Sequence, residues 1–523
     1  MKKIFAVVLI LASLNFAQGV DLPDFVVSGT ENVTLPVIKK NKPKLVLPLG
    51  NAFFMHKFSP EDFSVSYIAE SDTNYIHPFK RNKNYRQYAK ITSGFNVLPA
   101  ANVFWGFPLN NGYLDFKFKG ENRLNYIPFA GRTNFTGGIN LKLYTNYNAD
   151  KLPRSYFNIN ANGNFSDYRF YGSITPSLRR KVSFGNAGVT FHHFTGDKLN
   201  LTAGVSGEDF RLLKENFTEQ NVRASLGIKK KFSAFTLIGK GRFVNQKLKH
   251  NNYKVYNFVE LLLAGEFNPY DNFAVSVGAD VAHSGGRNSF APYLKGKVTL
   301  AENLVFTGSW SSNANYFTNS DVVKLNPYYS LSDFTNVFSV VYNKIYFDFF
   351  YGFRDYFDVS FGFGFQKTDG FLYFESAADN IYFIPKTLDA VNGFISKLAV
   401  NFYFSRFGYL SGVLNIDREV NVANKLMPYS PIFKGQLLYN YKTPFSFWLT
   451  FGTEFYSRSY TNLKNSSSVP PYINLFLSSD YKLAKNLKLI FTINNILNRD
   501  NYLYRGYKEM PMDLQAGIEY FWR

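Results

Sequence analysis

The sequence offers few side chains suited to metal binding or nucleophilic chemistry. It contains six histidines and no cysteine, and the only adjacent histidines are His192 and His193. Neighbouring residues of a strand point to opposite faces, so this pair does not predict a chelating site. The chain has no G-x-S-x-G elbow, no H-E-x-x-H motif and no phosphate-binding glycine loop. We expect no catalytic residue, metal or cofactor and no enzymatic activity; a hydrolase site assembled from distant serine and histidine residues is the alternative.

Basic residues carry the other chemical signal. The chain has 58 Lys and Arg against 38 Asp and Glu, a formal net charge of +20. If strands enclose a channel, basic side chains on their polar faces favour anions inside it. Alternatively, rim lysines contact the phosphates of lipopolysaccharide or keep the surface solvated. The candidates for the lumen are Lys117, Lys119, Lys142, Lys240 and Arg242.

The last ten residues show the clearest strand pattern in the chain. Ile518, Tyr520 and Trp522 alternate with Gly517 and Glu519. One apolar face that ends in aromatic rings suits the closing strand of a transmembrane barrel, because that strand faces lipid on one side and a polar lumen on the other.

The same period of two recurs along the chain between turn signals such as Asn110-Asn111-Gly112. The chain contains 57 Phe and 37 Tyr, yet after the N-terminal region no apolar segment is long enough to form a transmembrane helix. A closed barrel accounts for many aromatic residues without a long apolar segment, because only the outward residues of each strand need to be apolar where they face lipid. We predict an all-β fold, a transmembrane antiparallel β-barrel of about 22 strands (range roughly 16–22). Residues 418–432 and 456–470 are expected as outer loops, and Phe63 to Ala69 as the partner of the closing strand.

The N-terminal part indicates export. Lys2 and Lys3 precede an apolar run, Ile4 to Leu14, and small residues follow it, so residues 1–19 are predicted to be a cleaved signal peptide. Its removal takes away two lysines and leaves a net charge of +18. Residues 20–60, rich in proline and lysine, are expected to form an extended periplasmic arm, and residues 61–523 the barrel. An unstructured terminus is the alternative for the arm.

Both ends of the chain resemble the TonB-dependent receptors. The C-terminal likeness lies in Asn494-Asn495-Ile496-Leu497-Asn498-Arg499, Tyr502, Gly506-Tyr507, Met510-Pro511 and Ala516-Gly517-Ile518-Glu519-Tyr520. The N-terminal likeness, to the energy-coupling box of that family, lies in Asp24, Phe25, Val26, Val27, Ser28, Gly29 and Thr30. The resemblance implies an outer-membrane transporter or receptor in a Gram-negative-type bacterium, with a TonB-like periplasmic partner that binds the arm.

One departure from that family changes the expectation. Its members carry a globular plug after the box, whereas strand-like sequence here begins too soon for a plug of normal size. We therefore expect a plugless barrel that transports an unidentified solute, with a separate plug or partner protein. The alternatives are a non-transporting anchor that recruits a partner through its arm, and a passive, anion-leaning porin. Outer-membrane lipid, lipopolysaccharide and the barrel-assembly machinery are the other expected partners, and nucleic acid is not.

Overall fold

The computed structural model describes a closed ring of antiparallel strands. It covers residues 87–145, 155–195, 198–250, 252–331, 337–353, 356–377, 382–404, 407–443, 445 and 447–522. Each strand pairs with its neighbour along the ring, and the last pairs with the first, so the 22-stranded sheet has no free edge. The predicted transmembrane antiparallel β-barrel of about 22 strands is confirmed.

The strands are numbered in chain order. Those of the barrel are β1 Gln87–Gly94, β2 Val97–Leu109, β3 Gly112–Arg123, β4 Arg132–Thr145, β5 Ser155–Arg169, β6 Arg179–Phe194, β7 Leu199–Leu212, β8 Phe217–Lys231, β9 Thr236–Lys249, β10 Tyr253–Tyr270, β11 Phe273–Ser284, β12 Arg287–Ala301, β13 Leu304–Phe317, β14 Val337–Phe353, β15 Phe357–Asp369, β18 Val391–Tyr403, β19 Tyr409–Val420, β20 Phe433–Lys442, β21 Phe447–Tyr456, β24 Tyr472–Ala484, β25 Leu487–Asn494 and β28 Asp513–Trp522. Short hairpins outside the ring are β16 Phe371–Ser376 with β17 Phe383–Leu388, β22 Ser459–Tyr460 with β23 Ser468–Val469, and β26 Tyr502–Tyr504 with β27 Tyr507–Lys508.

The barrel closes at a different place from the predicted one. Ile518 of β28 lies opposite Ile91 of β1, and the other edge of β28 pairs with β25. Both edges of the closing strand are therefore occupied, and the expected pairing with Phe63 to Ala69 is wrong. The apolar and polar alternation of residues 63–69 resembled a strand, but the register of β28 places the first barrel strand at Gln87–Gly94. Residues 1–86, with the predicted signal, arm and start of the barrel, lie outside the described residues.

Alternation along each strand separates two surfaces. On β8, for example, Val222 and Leu226 point outward and are 47% and 52% exposed, while Glu219 points inward and is fully buried. The outer face therefore carries apolar side chains toward lipid, and the inner face carries polar ones. At the barrel end where the chain finishes, Trp522 lies against Tyr520 and Trp105, with ring centroids 6.0 and 6.5 Å apart. Such an aromatic group belongs at a membrane interface.

The two ends of the barrel differ in their connections. At the end that holds Trp522, tight turns such as Asn110-Asn111 join the strands. The opposite end carries longer connections that contain the three hairpins and the helix α1, Asn319–Leu325. Short turns face the periplasm and long loops face outward in bacterial barrels, so the loop end is the outer end. The expected outer loops at 418–432 and 456–470 lie there, between β19 and β20 and between β21 and β24.

The helix α1 was not anticipated from the sequence. Its seven residues are too few to show a helical period, and it forms because the loop packs against the barrel wall. Among the described residues, no helix is long and apolar enough to cross a membrane.

Candidate functional site

Three loops meet over the opening at the outer end of the barrel. They follow β5, β13 and β25, positions separated by eight, eight and six strands around the ring. Tyr328 and Tyr507 stack with ring centroids 3.7 Å apart, and Tyr171 lies 5.1 Å from Tyr507 and 6.2 Å from Tyr328. Loops that leave the ring so far apart can touch only by crossing the opening. The contact therefore covers the lumen.

Further aromatic side chains extend this contact into a layer. Phe383 lies 5.5 Å from Tyr429 and 5.4 Å from Tyr504, and Tyr429 and Tyr504 lie 5.4 Å apart. Tyr126 packs edge-on against Tyr171 at 6.4 Å. These ring separations are favourable for aromatic pairs, each adding about 0.5–1.5 kcal/mol beyond the area buried. We call the layer the tyrosine lid; it comprises Tyr126, Tyr171, Tyr328, Phe383, Tyr429, Tyr504 and Tyr507.

The lid belongs to a buried apolar cluster. Val322, Tyr329, Val337 and Phe374 are buried with Phe383 and Tyr507 in one hydrophobic core. Burial of each large side chain contributes about 1.5–3 kcal/mol, so the loops have a core of their own above the polar lumen. The outer opening is covered by packed side chains and not by isolated loop tips.

Backbone contact between two glycines lets the loops approach so closely. Gly172 follows β5, and Gly506 lies in the β26–β27 turn with a φ of +86°. A Cβ added at Gly172 would lie 2.5 Å from the carbonyl carbon of Gly506, closer than any side chain tolerates. Gly506 is required by both its positive φ and the contact, and Gly172 by the contact alone.

A buried arginine holds the loop after β13 to the wall. Arg180 of β6 is 1% exposed; its Nη1 donates to the carbonyl oxygens of Pro327 at 2.8 Å and Tyr329 at 2.9 Å. Its Nε donates to Glu215 at 2.7 Å, and its guanidinium lies 4.8 Å from the ring of Phe170. Every contact of this charge is made inside the protein, so removal of its partners would leave a costly buried cation.

A buried carboxylate holds the other end of the same loop. Glu219 of β8 accepts hydrogen bonds from the backbone N of Asn319 at 2.9 Å, from Asn319 Nδ2 at 2.8 Å and from the backbone N of Ser320 at 3.3 Å. Gln246 Nε2 donates to it at 2.7 Å. The first N–H groups of a helix have no partners within the helix, and a carboxylate satisfies them with a favourable charge. Glu219 thus fixes the start of α1.

Tyrosine hydroxyls join the loops to each other's backbone. Tyr126 and Tyr171 both donate to the carbonyl oxygen of Lys508, at 2.9 and 2.8 Å, and Tyr504 donates to that of Leu325. Burial raises the pKa of Tyr126 to about 12. It also raises the pKa of Tyr429 to about 12. Both hydroxyls therefore stay protonated and neutral at physiological pH.

The basic residues predicted for the lumen all lie on inward faces, but two of them are paired. Lys117 Nζ lies 3.7 Å from Asp115, and Arg242 Nη2 lies 2.9 Å from Glu260. Lys142 lies 4.0 Å from the ring of Tyr156, a cation over an aromatic face. Lys119 is half-buried and Lys240 is exposed. The wall therefore carries mixed charge, with Lys142 as a cation that no described carboxylate approaches within 4 Å.

The residues of the closing strand lie in β28 on alternating faces. Ile518 is 48% exposed and Tyr520 is 46% exposed on the lipid side, followed on that side by Trp522. Gly517 faces the other way, and a Cβ there would lie 2.5 Å from the side chain of Thr92. The seven box-like residues, Asp24 to Thr30, lie outside the described residues.

Sequence reasoning did not find the tyrosine lid. Turns and loops are normally polar, and the signal was an excess of aromatic residues between strands, such as Tyr328-Tyr329 and Tyr504 with Tyr507. Within the described part of the chain, no three His, Asp or Glu side chains are grouped to hold a metal.

Comparison with known proteins finds likeness in structure only. No protein-family model and no curated protein sequence matches the chain. A variant of the ferric enterobactin receptor of Pseudomonas aeruginosa aligns with a TM-score of 0.62 at 10% identity, over 84% of this chain and 80% of that one. The FrpB iron transporter of Neisseria meningitidis aligns at 0.64 and 8%, over 84% and 82%. The copper transporter OprC aligns at 0.60 and 11%, over 84% and 80%.

At these identities the likeness establishes the fold. The chain has the barrel fold of TonB-dependent siderophore receptors, in agreement with the resemblance of its C-terminal strands. It is the fold of Gram-negative outer-membrane receptors, and the protein is accordingly an outer-membrane β-barrel.

Proposed function

We propose that this protein is a gated outer-membrane receptor and transporter for a solute, and that the tyrosine lid is its gate. The observation that carries the proposal is the contact of Tyr171, Tyr328 and Tyr507 across the opening. A passive porin needs a standing aperture at the outer end, whereas a receptor exchanges closed loops for ligand contacts. The receptor-type fold supports the same reading.

The lumen beneath the lid suits a polar solute. Asn160 of β5, Gly188 of β6 and Ser206 of β7 lie side by side in register on the inner wall. Asn162 donates to Asn186 beside them at 3.2 Å. Amides and hydroxyls both donate and accept hydrogen bonds, so this wall takes uncharged polar groups as well as water. The proposal assigns it transport and no catalytic step.

The arm supplies the periplasmic connection in this proposal. Only 56 residues separate Thr30 from Gln87, shorter than the globular plug that the TonB-dependent family places there. A separate plug or partner protein, bound through Asp24 to Thr30, would close the inner end. An extended segment of this kind binds by adding a strand to a partner's sheet. The same spacing favours the second candidate, an anchor that recruits a partner without transport.

Locking the lid tests the gate. The chain has no native cysteine, so Tyr328→Cys with Tyr507→Cys places the only two thiols across the lid. Cells with this variant are treated with a short bifunctional reagent that reacts with both thiols and carries a disulfide that a reductant cleaves. The solutes that the cells remove from the medium are measured by mass spectrometry. We expect a solute whose removal stops on crosslinking and returns on cleavage. Removal that is identical in crosslinked, cleaved and deletion cells would overturn transport.

The arm is tested separately. Val27→Pro removes a backbone donor within the box-like segment, and Val33→Pro is the matched control outside it. We expect loss of a co-purifying periplasmic protein for Val27→Pro alone. If that protein is lost while solute removal continues, the arm serves an anchor function independent of transport.

A further inference from the structure

The polarity of strands β5 to β9 inverts near the outer end of the barrel. Lower on these strands, apolar residues such as Ile159, Val205 and Leu226 face outward, and polar residues face the lumen. Nearer the outer end the inward side chains become apolar. Tyr168, Val182, Phe210, Leu212, Phe217 and Leu248 form one buried core.

Charged residues take the outward positions at that height. We call them the outer basic belt; it comprises Arg169, Arg179, Lys181, Arg211, Lys247 and Lys249, with the acids Asp167 and Asp209 among them. Since charged side chains are costly in hydrocarbon, the inversion marks where the acyl chains end on this side of the barrel. The belt therefore lies at the level of the lipid headgroups of the outer leaflet.

The acids of the belt neutralise only part of its charge. Arg179 Nε donates to Asp167 at 2.6 Å, with Lys181 Nζ 3.9 Å from the same carboxylate, and Arg211 Nε donates to Asp209 at 2.6 Å. Six cations thus share two carboxylates. Among the described residues, no carboxylate lies within 4 Å of Arg169, Lys247 or Lys249.

The register places like charges together. Arg169 lies directly opposite Arg179 across the β5–β6 pair. On β9, Lys247 pairs with Gln220 and Lys249 pairs with Thr218, so the two lysines lie two residues apart on the same face. Like charges directly opposite each other on one face of a sheet are destabilising. An anion between them reverses the sign of that interaction.

A depression in the outer wall lies on strands β2 to β5, below the β5 edge of the belt. It is lined by Gly137, Ala161 and Gly163 and bordered by Phe116, Phe118 and Ile139, with a volume of about 480 Å³. From Gly163 the chain of β5 reaches Asp167 and Arg169 within about 20 Å at the ordinary rise of a strand. An acyl chain in the depression could therefore continue along β5 to a phosphate at the β5 edge of the belt.

We propose that the outer basic belt is a binding site for a phosphate-bearing lipid headgroup of the outer leaflet, with an acyl chain in the depression below its β5 edge. The site is independent of the proposed transport, because it lies on the outer wall and not in the lumen. Lysine and arginine near an anionic membrane surface each contribute about 1 kcal/mol, and the arginine fork matches phosphate geometry.

The experiment compares two matched pairs of substitutions in the full chain. Lys247→Gln with Lys249→Gln removes two cations of the belt. Lys198→Gln with Lys230→Gln removes two exposed lysines from the periplasmic end of the same region. Each protein is reconstituted in phosphatidylcholine nanodiscs that contain lipid A with or without its phosphates, and native mass spectrometry counts the lipid A retained.

We expect phosphorylated lipid A to be retained by the wild type and by the control pair. The belt variant should bind it roughly 30-fold more weakly, the equivalent of about 1 kcal/mol for each lysine. Lys247→Arg with Lys249→Arg keeps both positive charges and should retain lipid A as the wild type does. Normal retention in this variant would show that the loss in the Gln variant comes from charge. Equal retention by belt and control variants, or equal retention of dephosphorylated lipid A, would overturn the proposal. Displacement by excess inorganic phosphate would assign the belt to a free anion instead, and overturn it too.

Discussion

Tyr328 and Tyr507 lie face to face, with ring centroids 3.7 Å apart, although their loops leave the barrel eight strands from each other. This stack lies at the centre of the tyrosine lid. Its removal should loosen the cover of the lumen without disturbing the transmembrane strands.

The first prediction concerns conductance. Tyr328→Ala should raise the single-channel conductance of potassium chloride in planar bilayers, because it removes the ring that stacks on Tyr507 and contacts Tyr171 across the opening. Tyr356→Ala is the control, since Tyr356 is 60% exposed at the periplasmic end. A wild type that already conducts as an open barrel would contradict the lid.

The second prediction concerns Glu219. Glu219→Gln keeps the size of the side chain but replaces a charged acceptor that serves Asn319 and Ser320. Hydrogen bonds to charged groups contribute about 1.5–3 kcal/mol each, so the loop of α1 should open more often. Amide hydrogen exchange of residues 319–325 should accelerate, by roughly tenfold or more.

The control for that change is Glu266→Gln, which breaks a pair with Lys229 at the opposite end of the barrel. It should leave exchange at α1 as in the wild type. Unchanged exchange in Glu219→Gln would show that Arg180 alone holds the loop.

The third prediction concerns alkaline pH. The pKa of Tyr126 and that of Tyr429 lie at about 12 in the folded lid, against an ordinary value of 10.0. A raised pKa means that the folded lid binds the proton more tightly than the open one. The stability from these neutral hydroxyls is thus complete below pH 10 and is lost as the pH rises through about 12. Conductance should increase, together with tyrosinate absorbance, within that window, and Tyr126→Phe should reduce the absorbance step.

The fourth prediction concerns membrane insertion. Ile518→Lys places a charge on the lipid face of β28 and should destabilise the folded barrel by about 2–4 kcal/mol if the residue lies near the midplane. Gln515→Lys, on the lumen face of the same strand, is the control. Heat-modifiable mobility on gels measures folding, and equal folding of both variants would contradict the assignment of faces.

The membrane barrel was predictable because its rule is local. Ile518 and Tyr520 alternate with polar neighbours, and a period of two assigns their faces without reference to the rest of the chain. Chain length and the usual strand length then indicate about 22 strands. The first strand was not predictable in this way, since residues 63–69 alternate as well as β1 does, and only the register of β28 selects Gln87–Gly94.

The lid was out of reach for a different reason. Tyr328 and Tyr507 are 179 residues apart, and their contact depends on where β13 and β25 stand in the ring. The contact of Gly172 with Gly506 also depends on the positions of their strands in the ring. From the sequence alone, each of them resembles an ordinary turn glycine. The lumen lysines show the complementary case, because alternation assigned their face but could not show that Asp115 pairs with Lys117.

The contact of three loops at one central point also has a mechanical consequence. Because the loops leave the ring roughly a third of its circumference apart, a change in the shape of the outer end pulls on the contact of Tyr171, Tyr328 and Tyr507. The shape of the barrel's outer end and the closure of its mouth are therefore coupled through the stacked rings of Tyr328 and Tyr507.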